Sequence, residues 1–140
     1  MKYLVDTGPL AAFLNSNEKN KALRRWTAET FQSLRWPLYT NEPVLTETAY
    51  WIGTAVPLLE LVESGDLIVG LTLEEHTADL RRIIEFYSDR QVSLADAALV
   101  RMAEVWREST VITIDRSDFT VYRRFGRDPI NFLSPPVKRA

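Results

Sequence analysis

The sequence contains no cysteine and a single histidine, His76, and these two shortages remove several classes of chemistry. Without cysteine the chain has no disulfides, zinc ribbons, iron–sulfur clusters or thiol nucleophiles. A single histidine also excludes a metal site built from several imidazoles. Any metal ion in this chain must therefore be held mainly by oxygen ligands, which favours Mg²⁺ or Mn²⁺ over Zn²⁺.

Long apolar runs and an excess of positive charge are also missing. No segment approaches the roughly 20 apolar residues of a membrane-spanning helix, and the chain enters a strand pattern after Lys2 without a signal-peptide layout. We therefore expect no membrane association and a cytoplasmic location. A net charge of -2 and an isoelectric point of about 5.5 argue against a passive nucleic-acid binder. This net charge and isoelectric point remain compatible with an enzyme that has a local cluster of basic residues around its site.

Alternating apolar segments predict strands and helices in turn along the 140 residues, a length that fits one domain. Strands are expected at 3–5, 37–40, 67–69, 111–114 and 130–133. Helices are expected at 9–14, 22–30, 44–52, 58–62 and 72–88, with a further one beginning after Ser93. This alternation predicts an α/β fold with a mostly parallel sheet. In such folds the active crevice lies beyond the carboxyl ends of the strands.

Four acidic residues stand among apolar or small neighbours, where an exposed charge is not expected: Asp6, Glu47, Asp96 and Asp115. A buried carboxylate is costly unless something compensates it. Asp6 and Asp115 each follow a predicted strand, so both should lie at the functional edge of the sheet. Convergence on a divalent cation is the simplest common compensation. Such an ion positions a water and stabilises charge on a phosphoryl oxygen, so the pattern predicts phosphodiester hydrolysis.

Each of the four acids also has a purely structural interpretation. Asp6 would cap the following helix, and Asp96 would interact with the dipole of its own helix. Glu47 would be a solvated helix residue, and Asp115 would open a loop, residues 115–119, that also carries Asp118. Four independent structural roles are a less economical explanation than one shared metal site.

The segments around these acids resemble the ordered motifs of PIN-domain ribonucleases, most closely those of VapC-type toxins from bacterial toxin–antitoxin pairs. The segments are LVDTGPL at 4–10, TE at 46–47, LADA at 94–97 and TIDRSDF at 113–119. The resemblance extends from residue 3 to about 133. It implies a PIN-like three-layer fold and a single nuclease domain at 1–134, and we expect the remaining residues, 135–140, to be a flexible basic tail.

The resemblance also implies roles for individual residues. An acidic quartet would be catalytic and bind Mg²⁺ or Mn²⁺: Asp6, Glu47, Asp96 and Asp115. The hydroxyls of Thr7 and Thr113 would flank the site, and Asp118 would be an additional acid. Arg116 adjoins Asp115 and is a candidate for contacting RNA phosphates. The expected function is a metal-dependent endoribonuclease, the toxin of a toxin–antitoxin system, with RNA as substrate, a cognate antitoxin as partner and a homodimer as its assembly.

Three alternatives remain open at the level of sequence. The triplet from Asp6 to Gly8 occurs in aspartic proteases, but those enzymes need two such loops on a β-rich fold. A haloacid-dehalogenase-like phosphatase needs a second aspartate where Gly8 stands. The third alternative is a non-catalytic PIN-like module that only binds RNA.

Overall fold

The computed structural model describes residues 1–15 and 17–136 of the chain. Within these residues the strands are β1 (Lys2–Val5), β2 (Leu38–Thr40), β3 (Leu67–Val69), β4 (Ser109–Ile112), β5 (Arg123–Arg124), β6 (Asp128–Pro129) and β7 (Phe132–Leu133). The helices are α1 (Thr7–Leu14), α2 (Lys21–Ser33), α3 (Glu42–Ile52), α4 (Val56–Ser64), α5 (Thr77–Phe86), α6 (Leu94–Val105) and α7 (Arg116–Val121). A 3-10 turn, Leu73–His76, precedes α5.

Five of the strands form a central sheet in the order β3-β2-β1-β4-β7, and every neighbouring pair in it is parallel. The other two strands, β5 and β6, form a small antiparallel hairpin outside this sheet. Helices flank the sheet, so the α/β prediction is confirmed. The central sheet is wholly parallel, which is consistent with helical connections between successive strands.

The strand order places a topological switch point between β1 and β4. From β1 the chain moves outward through β2 and β3, and it then returns to add β4 on the opposite side of β1. The connections that leave β1 and β4 therefore run in different directions and open a crevice at the carboxyl ends of these strands. Asp6 directly follows β1 and Thr113 directly follows β4, so both border that crevice.

The core explains why these two strands are almost continuously apolar. Leu4, Val5, Val111 and Ile112 are fully buried, as expected for parallel strands covered on both faces. Helix α6 contacts both β1 and β4. Its buried residues include four small ones, which allow the helix to lie close to the sheet: Ala95, Ala97, Ala98 and Ala103.

The structure corrects three predictions of local structure. The strand predicted at 111–114 ends at Ile112, and the segment predicted as a loop at 115–119 is the start of helix α7. Asp115 caps this helix by accepting a hydrogen bond from the Asp118 amide, which satisfies one of its free N–H groups. The helix predicted at 72–88 is divided, because His76 adopts φ -124° and ψ 15° between the 3-10 turn and α5.

The hairpin formed by β5 and β6 is not predicted from the sequence. Its strands have two residues each, which is too short for a periodic pattern. The hairpin turn holds Phe125 at φ 53° and Gly126 at φ 70°.

The proposed domain boundary stays a prediction. Strand β7 ends at Leu133, next to the expected end of the domain at residue 134. Of the expected tail at 135–140, residues 137–140 lie outside the described residues. No helix in the described part of the chain is long and apolar enough to cross a bilayer.

Candidate active site

Asp6 is fixed at the carboxyl end of β1 by two hydrogen bonds to its side chain. The amide of Thr7 donates to Oδ1 over 2.8 Å, and the hydroxyl of Thr113 donates to Oδ2 over 2.7 Å. The parallel register makes the second contact possible, because Val5 pairs with Ile112 and the next residue on each strand is then adjacent. Asp6 also caps helix α1, which fulfils the structural role predicted for it.

Glu47 reaches the same crevice from the middle of helix α3. The hydroxyl of Thr7 donates to Glu47 Oε2 over 3.0 Å, although Glu47 itself remains solvent-exposed. Thr7 therefore links two of the predicted acids, because its amide binds Asp6 and its hydroxyl binds Glu47. Helix α1 also packs closely on α3, which keeps these residues together.

Asp96 lies in the first turn of α6, as predicted from Ser93. The Ser93 hydroxyl accepts a hydrogen bond from the Asp96 amide over 3.0 Å and caps the helix. The carboxylate of Asp96 accepts a second hydrogen bond, 2.8 Å long, from the hydroxyl of Tyr122 to Oδ2. Backbone and side chain of Asp96 are thus each held by a separate group.

Asp115 and Asp118 lie one helical turn apart at the start of α7. The Asp115 amide donates to the Thr113 hydroxyl over 2.9 Å, so this hydroxyl connects Asp115 with Asp6. Asp118 Oδ1 accepts a 2.8 Å hydrogen bond from Nη2 of Arg90. The loop between α5 and α6 therefore supplies a positively charged side chain to one of the acids.

Three of these carboxylates form a compact group. One oxygen from each of Asp96, Asp115 and Asp118 lies within 4.8 Å of the other two. The lining of an adjoining cavity of ≈ 510 Å³ includes Asp6, Glu47, Asp96 and Asp115. The structure therefore brings the four predicted acids into one crevice, with Asp118 close to two of them.

Burial and mutual repulsion alter the acidity of this cluster. Burial raises the pKa of Asp6 to about 6, and the charges of Glu47 and Asp115 add to this rise against the opposing hydrogen bonds from Thr113 and Thr7. Burial, followed by the charge of Asp6, raises the pKa of Asp96 to about 7, although the hydrogen bond from Tyr122 opposes the rise. Raised pKa values are expected where buried carboxylates converge without enough positive charge nearby.

The pair at the start of α7 titrates asymmetrically. Burial raises the pKa of Asp115 above its ordinary value. The hydrogen bond that Asp118 shares with Asp115, together with the guanidinium of Arg90, holds the pKa of Asp118 below its ordinary value. Asp118 is therefore the acid in this group that remains ionised to the lowest pH, while Asp6, Asp96 and Asp115 accept protons more readily.

An oxygen-only donor set of this kind fits a hard divalent cation. Asp96, Asp115 and Asp118 each direct a carboxylate oxygen to a common region, and Asp6 and Glu47 line the neighbouring cavity. Carboxylate oxygens suit Mg²⁺ and Mn²⁺. A bound cation would also offset the burial and the mutual repulsion that raise the pKa values of Asp6 and Asp96.

Arg116 does not join the acids in this structure. Its side chain is exposed, and its guanidinium lies 5.9 Å from the ring centre of Phe132. Arg116 is the first residue of α7, and its backbone carbonyl accepts a hydrogen bond from Thr120. A role for its side chain in binding RNA stays a prediction.

Ser117, Arg90 and Tyr122 contact carboxylates of the cluster but were absent from the predicted site; Ser117 donates to Asp115 Oδ1 over 3.2 Å. Arg90 binds Asp118 across 28 sequence positions, and Tyr122 binds Asp96 across 26. Tyr122 follows Asp118 by one helical turn, so the sequence would place Tyr122 near the acids only if 116–121 were first recognised as a helix. No local sequence pattern identifies Arg90.

Comparison with known proteins agrees with this arrangement. The chain is 26% identical over 129 residues to "Ribonuclease VapC26" of Mycobacterium tuberculosis (strain ATCC 25618 / H37Rv), across 88% of this chain and 93% of the relative. The resemblance to VapC-type PIN-domain proteins is confirmed. No family model matches the sequence.

A solved structure supports the PIN-like fold. The crystal structure of FitAcB from Neisseria gonorrhoeae aligns with a TM-score of 0.56 and 18% sequence identity. The alignment covers 95% of this chain and 97% of the other. The parallel sheet flanked by helices is therefore shared along almost the whole of both chains.

Proposed function

We propose that this protein is a metal-dependent endoribonuclease that hydrolyses RNA phosphodiester bonds as the toxin of a toxin–antitoxin system. The observation that carries the proposal is the convergence of Asp6, Glu47, Asp96 and Asp115 on one cavity at the switch point of a parallel sheet. Similarity to a ribonuclease over 88% of this chain supports RNA as the substrate.

The proposed cofactor is Mg²⁺ or Mn²⁺, held by the quartet of Asp6, Glu47, Asp96 and Asp115, with Asp118 as a further ligand. The ion would supply Lewis acidity for the scissile phosphate and lower the pKa of a water nucleophile. The convergent carboxylates favour binding of a cation, and their raised pKa values mean that loading is accompanied by loss of protons.

The surrounding residues would keep the acids in a fixed arrangement during the reaction. Thr113 connects Asp6 with the Asp115 amide, and Thr7 connects Asp6 with Glu47. Each hydroxyl restricts the rotation of a carboxylate that would otherwise be free to turn towards solvent. Such preorganisation lowers the cost of arranging charged groups at the moment of reaction.

A cognate antitoxin is proposed as the protein partner. A cavity of ≈ 730 Å³ lies beside the acidic cavity and shares Leu23 and Ile114 with it. Trp26 and Pro135 contribute further apolar lining. A partner segment bound there would lie next to the acids and would be able to obstruct RNA.

Homodimerisation is proposed from an apolar surface on helices α3 and α4, of which Trp51 also borders the acidic cavity. Helix α3 ends with exposed Tyr50 and Trp51, and helix α4 exposes Val56 and Leu59. Large exposed apolar side chains grouped on consecutive helices are typical of interaction surfaces. Action on RNA also agrees with the expected cytoplasmic location.

The decisive experiment compares RNA cleavage by the wild type and Asp6→Asn in Mg²⁺, Mn²⁺ or EDTA. Cleavage that leaves 5′-phosphate and 3′-hydroxyl ends should require added metal and be lost in the variant. Asp128→Asn is the matched control, because Asp128 is an exposed acid on the hairpin, away from the acidic cavity. Equal cleavage in EDTA, or by Asp6→Asn, would contradict the mechanism. Chelator-independent RNA binding without cleavage would instead favour the non-catalytic module.

A further inference from the structure

A buried tyrosine contacts the acidic site from the protein interior. Tyr122 is 2% exposed, and its hydroxyl lies 2.8 Å from Oδ2 of Asp96. A tyrosine is protonated at neutral pH, so the hydroxyl donates and the carboxylate accepts. One lone pair of Oδ2 is occupied by this bond, which leaves Oδ1 and the other lone pair of Oδ2 available to a ligand in the crevice.

The ring of Tyr122 is held in place by aromatic contacts on two sides. Tyr87 lies 5.3 Å from it and Phe119 lies 5.1 Å from it between ring centres, and both contacts are edge-to-face. The amide of Tyr122 donates to the Asp118 carbonyl over 3.0 Å, which fixes the residue at the end of α7. Because the ring and the backbone are both restrained, the direction of the hydroxyl is determined before any ligand binds.

Helix α7 thereby connects all three carboxylates of the compact group. Its first turn carries Asp118 and follows Asp115, and Tyr122 directly after its last residue binds Asp96 on α6. A change in the direction of the Tyr122 hydroxyl would therefore alter the separation of Asp96 from the other two acids.

We propose that Tyr122 is a positioning residue of the acidic site, which sets the orientation of the Asp96 carboxylate towards a divalent cation shared with Asp115 and Asp118. This inference rests on the proposed metal-dependent function. Groups that hydrogen-bond to metal ligands restrict ligand rotation, and their loss commonly weakens metal affinity about tenfold or more. Tyr122 acts through Asp96 and needs no contact with RNA.

Tyr87 provides a matched control for the role of this hydroxyl. Tyr87 is also buried, packs against Tyr122, and its hydroxyl accepts a 2.6 Å hydrogen bond from the Arg123 amide. Tyr122→Phe and Tyr87→Phe therefore each remove one oxygen and one buried hydrogen bond from the same aromatic group. Only the first removes a contact to a carboxylate of the site.

The test is calorimetric titration of the metal-free wild type and both variants with Mn²⁺, accompanied by urea denaturation. Tyr122→Phe should raise the Kd for Mn²⁺ about tenfold, whereas Tyr87→Phe should leave it unchanged despite a comparable loss of stability. At saturating Mn²⁺, RNA cleavage by Tyr122→Phe should recover, because the defect is in metal binding. An unchanged Kd in Tyr122→Phe, or an equal increase in both variants, would overturn the proposal.

Failure of the underlying function gives a different result from failure of this inference. If the wild type binds no Mn²⁺, the metal dependence itself is wrong, and the role assigned to Tyr122 falls with it. If Tyr122→Phe does not fold, carbon-13 labelling of tyrosine Cζ in the wild type still tests the contact. The Tyr122 resonance should move on titration with Mg²⁺ while that of Tyr87 stays fixed, and a stationary Tyr122 resonance would contradict the proposal.

Discussion

The hydroxyl of Thr113 donates to Asp6 over 2.7 Å, although these residues are separated by 107 positions in the sequence. The same oxygen accepts a hydrogen bond from the amide of Asp115. Thr113 is fully buried, so bulk water does not compete for its hydroxyl. One side chain thus satisfies two groups of the acidic site on either side of the switch point.

Replacing Thr113 by Val, which has nearly the same shape, should destabilise the protein and weaken Mn²⁺ binding. The variant leaves the Asp115 amide without its acceptor and Asp6 without a donor, a loss of about 1–3 kcal/mol in unfolding free energy. Thr113→Ser should retain most of both properties. Urea denaturation and Mn²⁺ titration provide the two measurements.

Thr48→Val is the control for this experiment. Thr48 is also fully buried, but its hydroxyl donates to the Val44 carbonyl within helix α3 and contacts no acid of the site. Thr48→Val should leave the Kd for Mn²⁺ unchanged. Equal Mn²⁺ affinity in Thr113→Val and the wild type would show that the hydroxyl stabilises the fold without organising the site.

The contribution of Asp6 and Asp96 should make the metal-free protein less stable as pH rises from about 4 to 7. Their folded-state pKa values are raised from 3.8 to about 6 and about 7. The folded state therefore holds more protons than the unfolded state in this window, and the free energy of unfolding decreases as pH increases. For Asp6 alone the loss by pH 8 is on the order of 3 kcal/mol.

Asp6→Asn and Asp96→Asn isolate this contribution from the other ionisable groups. Asp96→Asn should be more stable than the wild type at pH 8 in EDTA, with the difference greatly reduced at pH 4. Asp6→Asn should show the same dependence on pH from a lower starting stability, because it also removes the acceptor of the Thr113 hydroxyl. Urea denaturation at the two pH values measures this, with Asp128→Asn as an exposed control. A large loss of metal-free stability in Asp96→Asn at pH 8 would show that Asp96 serves mainly as a structural residue of helix α6.

Strand positions were the part of the fold most accessible from sequence. The apolar runs ending at Val5 and Val69 are buried or half-buried in parallel strands, and their composition alone indicates this environment. The start of α6 was equally clear, because Ser93 caps it and Asp96 lies in its first turn. These features depend on neighbours within a few residues.

Other features of the site depend on contacts between distant segments. The helix from Arg116 to Val121 has only six residues, so its apolar periodicity is too brief to distinguish it from a loop. The contact between Arg90 and Asp118 arises only when the connection before α6 packs near α7. Sequence spacing suggested which acids could converge, but it could not identify the groups that hold them.

Neutralising Arg90 should strengthen Mn²⁺ binding, because its charge competes with the cation for Asp118. Arg90→Gln keeps a hydrogen-bond donor but removes one positive charge beside the acids. Because solvent screens this charge, the tightening of the Kd should be modest and should depend on the salt concentration. Titration with Mn²⁺ at low and high salt should show a tighter Kd that approaches the wild-type value as salt increases.

Two arginine variants separate charge from the other effects of this substitution. Arg90→Lys keeps the charge and should bind Mn²⁺ as the wild type does. Arg81→Gln removes a charge that pairs with Glu85 on the exposed face of α5, and it should also leave the Kd unchanged. Weaker Mn²⁺ binding by Arg90→Gln would contradict this prediction. It would mean that the guanidinium increases metal affinity by orienting Asp118, and that this effect exceeds the repulsion between its charge and the metal.

Glu104 should be essential for stability and unimportant for metal binding. Its side chain is fully buried, pairs with Arg82 and Arg101, and accepts a 2.7 Å hydrogen bond from the Phe125 amide in the hairpin turn. Glu104→Gln leaves two guanidinium groups without this counter-charge and should lower the free energy of unfolding by about 3 kcal/mol. Glu108→Gln, at an exposed position, should have little effect. Urea denaturation and Mn²⁺ titration of both variants test whether Glu104 affects stability without affecting metal binding. Asp79 also pairs with both arginines. An unchanged stability in Glu104→Gln would show that Asp79 alone is sufficient to compensate them.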